Sequence, residues 1–281
     1  MIVYNDRDSL SEALLPFRQH KKIGLIPTMG ALHDGHLTII KQALEDNDCV
    51  VVSIFVNPTQ FDKKVDLIKY PRNLDLDVKL ISKIEGNILI YAPEASKLYS
   101  GNIASKNYSF GNIENEMEGK YRKGHFNGVG TVVNLLLRAV SPDYAYFGEK
   151  DFQQLQIVRK LVEIEDISVE IVGCPIVREE SGVAMSSRNK RLSTAQFEAA
   201  VVIHKTLLEV TQKFDNLSIL KLNEIVKERF LKNDHLKLEY FVIANVKTLK
   251  TAKHKLKKNK YRAFIAAFAG EVRLIDNIAL N

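Results

Sequence analysis

His33 and His36 stand three residues apart inside Pro27-Thr-Met-Gly-Ala-Leu-His-Asp-Gly-His36. Positions i and i+3 of a helix are neighbours, so two imidazoles at this spacing can meet one ligand. An imidazole donates to phosphate oxygens and stabilises charge developing on a leaving pyrophosphate. Gly30 and Gly35 let backbone and ligand approach closely. The segment falls where a short apolar run, 23–27, gives way to a helical pattern over 35–47. A helix N-terminus offers unpaired N–H groups and the positive end of a dipole to an anion. A bare His-x-x-His is often only two surface histidines, and zinc would need further ligands. Two histidines and two glycines at a strand-to-helix turn read better as a nucleotide phosphate site built from Met29, Gly30, Ala31, Leu32, His33, Asp34, Gly35 and His36.

Three further segments carry polar groups at comparable places. Ser53-Ile-Phe-Val-Asn57-Pro58-Thr59-Gln60-Phe61 closes the β-branched run 49–56 and delivers Asn57 and Gln60; by itself, Asn-Pro is an ordinary turn. Tyr146-Phe147-Gly148-Glu149-Lys150-Asp151-Phe152-Gln153-Gln154 again joins strand to helix. There Lys150 can reach phosphates as a mobile point charge, and Asp151 can cap the helix or help hold a metal. Val177-Arg178-Glu-Glu-Ser-Gly182-Val-Ala-Met185-Ser186-Ser187-Arg188-Asn189 places small hydroxyls before an arginine that can bind two phosphate oxygens at once. Gly182 suits a loop that closes over a ligand. Arg122-Lys-Gly-His125-Phe126-Asn127-Gly128-Val129 precedes a helix and either lines the site or supports it.

Elements of fixed direction must hold these turns. Apolar strands at 23–27, 49–56, 87–92, 144–147 and 169–177 alternate with helical patterns at 35–47, 74–84, 128–140 and 151–163. That alternation predicts an α/β fold with a Rossmann-like parallel sheet covered on both faces. In such sheets ligands bind outside the carboxyl ends of the strands. After Val177 the pattern changes to helices at 194–213 and 219–231, then strands at 236–246, 262–269 and 271–279. The pattern therefore places a domain boundary near Val177–Arg188, between a Rossmann-like domain, 1–177, and a smaller C-terminal α+β domain, 178–281.

A chain of 281 residues that is 46% hydrophobic can bury a sizeable core. No apolar run approaches the ~20 residues of a membrane-spanning helix, and Met1-Ile-Val-Tyr-Asn-Asp opens no secretory pattern. Cys49 and Cys174, each within an apolar run, read as buried reduced thiols of a cytoplasmic protein. The net charge of +6 has its densest basic stretch at 247–260, with no aromatic residue between the lysines. A solvated helix or loop explains that stretch better than a base-stacking surface.

In order and spacing the four motifs resemble the pantothenate synthetase (pantoate–β-alanine ligase) family of adenylate-forming nucleotidyltransferases. The resemblance continues through Tyr70-Pro-Arg72, 124–133 and Arg273-Leu-Ile-Asp-Asn277. It departs from the usual family pattern at Lys123, Leu135, Ser181 and Arg191, positions given no chemistry. The resemblance implies ATP-dependent condensation of pantoate with β-alanine through a pantoyl adenylate, releasing AMP and pyrophosphate. It implies Mg²⁺ on the ATP phosphates without assignable protein ligands, a cytoplasmic homodimer, and neither nucleic acid nor membrane as partner. It gives catalytic roles to His33, His36, Lys150 and Arg188. ATP falls to residues 29–36, Gly148, Glu149, Lys150, Asp151, Val177, Met185, Ser186, Ser187 and Arg188. Pantoate falls to Gln60 and Gln154, and β-alanine to Gln60, with Met29 and Phe61 walling the apolar side of pantoate. The alternatives are another small-molecule nucleotidyltransferase of the superfamily, against which the neutral amides of Asn57, Gln60 and Gln154 argue, and more remotely a basic nucleic-acid-binding protein.

Overall fold

The computed structural model describes residues 1–62 and 64–281. Along the chain run β1 (Val3–Tyr4), α1 (Arg7–Leu14), β2 (Ile23–Thr28), α2 (Asp34–Asp46), β3 (Cys49–Ile54), α3 (Lys64–Lys69), α4 (Leu74–Ile81), β4 (Ile88–Tyr91), α5 (Ala95–Leu98), α6 (Met117–Tyr121), α7 (His125–Val140), β5 (Tyr144–Gly148), α8 (Phe152–Ile164), β6 (Glu170–Cys174), α9 (Thr194–Lys213), α10 (Ile219–Leu231), β7 (Leu236–Asn245), β8 (Tyr261–Ala269) and β9 (Val272–Ala279).

Contacts gather the chain into two units. The first holds 1–114, 119–149 and 153–175; the second holds 176–281 together with the short segments 115–118 and 150–152.

In the first unit β1-β4-β3-β2-β5-β6 lie side by side in that order, all parallel. The continuous apolar runs of β2 and β3 are buried almost throughout, as strands covered on both faces must be. α2 packs Ile40 and Ala43 against Ile26, Val50 and Val52. Burial pushes the thiols of Cys49 and Cys174 up to about 11, so both remain protonated at neutral pH.

The second unit is a three-stranded antiparallel sheet, β7-β8-β9, with α9 and α10 packed on one face. Residues 247–260 are the connection from β7 to β8, largely exposed and without a helix. Within it Lys255 Nζ donates to the carbonyls of Asp215 and Leu217, closing the chain beyond α9.

The structure moves several expected boundaries. β6 stops at Cys174, not at Val177, because Pro175 has no N–H to give a ladder. α7 begins at His125 behind Gly124, whose φ of +78° suits glycine. α1 lies outside the sequence expectation; Asp6 caps it through the N–H of Ser9, and it buries Leu10 and Leu14. Among the described residues no helix is long and apolar enough to cross a membrane.

Candidate active site

Adjacent strands β3, β2, β5 and β6 each release one motif from the C-terminal end. β3 runs into Asn57–Phe61, β2 into Met29–His36, β5 into Glu149–Gln154, and β6 leads toward Val177–Asn189. After β2 the chain builds outward through β3 and β4, then returns to β5 on the other side of β2. That reversal is the switch point at which open α/β sheets bind ligands.

The turn after β2 is held from both sides. Thr28 Oγ1 donates to the carbonyl of Ser53 (2.7 Å) and accepts the N–H of Gly30 (3.2 Å). Gly30 and Ala31 take φ of +75° and +51°. The carboxylate of Asp77, only 4% exposed on α4, accepts the next two N–H groups, Ala31 at 2.9 Å and Leu32 at 2.7 Å. A Cβ at Gly30 would lie 2.8 Å from Asp77 Oδ2, so glycine is needed for space as well as for φ. The N–H groups of residues 30–32 thus serve the protein's own architecture. The donors left for an anion are those at the start of α2, Asp34 and Gly35, which have no acceptor within the helix.

His33 is the N-cap of α2, and its N–H donates to His36 Nδ1 at 3.3 Å. A neutral His36 that accepts at Nδ1 carries its proton on Nε2, the nitrogen then able to donate to a ligand. The two rings lie 4.1 Å apart between centroids, tilted by 44°.

Asn57 organises the next turn. It is 1% exposed, and its Oδ1 accepts the N–H of Thr59 (3.3 Å) and the hydroxyl of Tyr99 (2.6 Å). Its Nδ2 donates to the carbonyl of Gly128 (3.1 Å) and to Gln60 Oε1 (3.0 Å). A backbone donor at one end and a backbone acceptor at the other fix which atom of Asn57 is oxygen. Gln60 is fixed in turn: Oε1 faces Asn57, and Nε2 points at Met29 Sδ, 2.9 Å away. The side chain named for pantoate therefore presents its donor end toward the β2 turn. Burial raises the pKa of Tyr99 above its ordinary value, against the opposing hydrogen bonds with Thr59 and Asn57, so its hydroxyl remains a donor.

His125 supports this turn. Its Nδ1 lies 2.8 Å from the carbonyl of Gln60, which can only accept, so Nδ1 carries the proton and Nε2 accepts from Arg122 NH1 at 3.0 Å. Phe61 meets Tyr70 edge to face, with centroids 5.8 Å apart. Beyond β5, Gln153 is buried with Nε2 on the carbonyl of Ile113 (2.8 Å), while Gln154 is half-buried.

In the second unit Met185 N–H returns to the carbonyl of Val177 (3.0 Å), and Ser186 Oγ accepts the N–H of Arg188 (3.2 Å), capping the short turn Ser187–Arg191. Asn189 Nδ2 donates to the carbonyl of Ala184 at 3.1 Å. Lys150 is tied through its carbonyl to Asn277 Nδ2 at 2.9 Å. Sequence reasoning singled out neither Asp77 nor Tyr99. Both belong to otherwise unremarkable segments, 46 and 42 residues from the groups they hold.

A parallel sheet with a paired-histidine turn at its switch point, followed by an α+β unit bearing a Ser-Ser-Arg turn, defines an α/β protein of the Rossmann-like class. The family profile described as pantoate-beta-alanine ligase matches residues 2–279. A pantothenate synthetase of Christiangramia forsetii is 52% identical over the whole of both chains, and one of Bacteroides thetaiotaomicron is 44% identical over 99% of this chain and 98% of its own. Among solved structures, pantothenate synthetase from Thermus thermophilus superposes with a TM-score of 0.91 at 36% identity, covering 100% of this chain and 99% of that one. The Francisella tularensis pantoate-beta-alanine ligase, complexed with beta-gamma ATP and beta-alanine, does so with a TM-score of 0.80 at 36% identity over 100% and 98%. The chain belongs to the pantoate–β-alanine ligase family.

Proposed function

We infer that this chain condenses pantoate with β-alanine, driven by ATP, to give pantothenate, AMP and pyrophosphate. Beyond family membership, the observation that carries the reading is the delivery of the His33–His36 turn and the oriented amide of Gln60 from adjacent strands at one sheet edge. Phosphate donors and a carboxylate donor side by side are what acyl adenylation needs.

In the first step a carboxylate oxygen of pantoate attacks the α-phosphorus of ATP and pyrophosphate leaves. No protein nucleophile is required; alignment and stabilisation of charge on the bridging and leaving oxygens are. Gln60 Nε2 donates to pantoate, with Gln154 on its hydroxyls. His36 and His33 stabilise phosphate charge, and Gly148, Glu149 and Asp151 complete the nucleotide turn. The family resemblance adds Lys150, Ser186, Ser187 and Arg188 as further phosphate-binding groups, with Val177 and Met185 shaping the segment that carries the last three. Mg²⁺, a hard cation that favours phosphate and carboxylate oxygens, accompanies ATP, and Asp151 is the exposed carboxylate next to Lys150. In the second step the uncharged amine of β-alanine attacks the acyl carbon and AMP departs, which rewards exclusion of water.

Pyrophosphate release is the test. Without turnover on pantoate and β-alanine together, the reading fails. His36→Ala should slow pantoate-dependent ATP–pyrophosphate exchange at least ~10-fold, about 1.4 kcal/mol of barrier; a smaller loss removes His36 from that role. The family resemblance also supports a cytoplasmic homodimer, which sedimentation at working concentration would check.

A further inference from the structure

Arg273-Leu-Ile-Asp-Asn277 belongs to the motif series, yet none of its residues has a part in the chemistry above. In the structure it is the middle of β9, paired with β8 so that Asp276 faces Ile265 and Asn277 faces Phe264. Successive residues of a strand point to opposite faces of the sheet. Asp276 and Asn277 therefore reach two different segments.

Asp276, on the face covered by α9, takes Arg178 in a two-pronged pair: NH1 to Oδ2 at 2.7 Å and NH2 to Oδ1 at 3.0 Å. Arg178 NH1 also donates to the carbonyl of Gly182 at 3.1 Å. Both ends of the turn that leads into Met185–Arg188 are thereby fixed to β9. On the opposite face Asn277 Oδ1 accepts from Arg262 NH1, and Nδ2 donates to the carbonyl of Lys150 at 2.9 Å. Arg262 is itself stacked 4.0 Å over the ring of Phe152, two residues past Lys150. Asp276 Oδ1 further accepts the N–H of Asn277 at 2.8 Å, which couples the two anchors.

We propose that Asp276 and Asn277 are positioning residues for the phosphate chemistry: one strand registers the Lys150 turn and the Ser186–Arg188 turn against each other, one from each face. The proposal rests on the assignment of Lys150 and Arg188 to ATP phosphates made above. A lysine or arginine acts on a transferring phosphoryl group only if held in place, and small displacements are costly in rate. Residues that act as a unit show strongly non-additive losses.

Asn277→Asp is the informative variant. It keeps Oδ1 for Arg262 but turns the donor facing the Lys150 carbonyl into an acceptor. An acceptor buried against that carbonyl lowers the thermal midpoint, so exchange is measured well below the midpoint of the variant. Its pantoate-dependent ATP–pyrophosphate exchange should fall at least about tenfold, and the same substitution in a Lys150→Ala background should cost less than about threefold. Asp276→Asn should behave likewise against Arg188→Ala. An Asn277→Asp enzyme within threefold of the parent, or a full loss repeated in the Lys150→Ala background, overturns the positioning role. Lys150→Ala exchanging at the parental rate instead overturns the phosphate assignment of Lys150, and the proposal with it.

Discussion

The carboxylate of Asp77 accepts the backbone N–H of Leu32 at 2.7 Å and, with its other oxygen, that of Ala31 at 2.9 Å. One buried side chain on α4 thus fixes the left-handed turn from which α2 starts. Asp77→Asn sets an amide N–H₂ against one of two N–H groups and removes the charge that strengthens both bonds. A hydrogen bond to a charged group contributes about 1.5–3 kcal/mol, so a stability loss of about 2 kcal/mol is expected. A larger fractional loss of pyrophosphate exchange should accompany it. Denaturant unfolding alongside the exchange assay checks this; an unchanged midpoint would mean that the carboxylate does not hold the turn.

Gln60 presents Nε2 rather than Oε1 because Asn57 Nδ2 already faces its oxygen. Gln60→Glu keeps an acceptor for Asn57 and replaces the donor by a second, charged acceptor. Toward an anionic substrate that exchange is worse than an empty space. Gln60→Glu should therefore raise the KM for pantoate more than Gln60→Ala does, by at least about tenfold over the parent, since each lost or reversed bond to a charged group exceeds ~1.4 kcal/mol. Steady-state kinetics of both variants decide it, and equal KM values would reject the oriented-donor account.

His204 contributes a pH dependence. Burial, reinforced by the Arg178 guanidinium and only partly offset by Asp276, holds its pKa below the ordinary 6.5. The unfolded chain takes up a proton near 6.5 while the folded chain resists it, so below that pH the unfolded state binds more protons. The stability that neutral His204 confers is present above pH 6.5 and lost as pH falls through and below it. Between about pH 7.5 and 5.5 the melting midpoint of the parent chain should fall more than that of His204→Gln. Superimposable midpoint-against-pH curves would refute the effect.

Legibility in the sequence followed the range of the interaction. The strands of the parallel sheet showed as unbroken apolar runs because both faces of β2 and β3 are buried. α9 and α10 showed their limits because Ser193 and Ser218 cap them through the N–H groups of Gln196 and Lys221. β1 has two residues, too few to display any period. Asp77 looks like any acid in a first helical turn, where the dipole favours one; its meaning lies 45 residues away at Leu32. Arg273–Asn277 showed as a motif inside an expected strand, but only the structure shows that Asp276 meets Arg178 on one face and Asn277 meets the Lys150 carbonyl on the other.

Gly128 offers the sharpest contest between local and tertiary terms. It lies inside α7, where alanine would be favoured over glycine by about 1 kcal/mol from helix propensity alone. A Cβ there would sit 2.4 Å from the carbonyl oxygen of Thr59 and 2.7 Å from Gln60 Cα, both backbone atoms that cannot swing aside. Overpacking a fitted contact costs about 1–3 kcal/mol, and relief requires the Pro58–Gln60 turn to move off α7. That movement also strains the bond from Asn57 to the Gly128 carbonyl, and with it the orientation of Gln60. Gly128→Ala should therefore lower the melting temperature and raise the KM for pantoate while leaving that for ATP much less changed. Melting curves and two-substrate kinetics test both halves; a variant more stable than the parent would show that helix propensity outweighs the close packing of α7 on this turn.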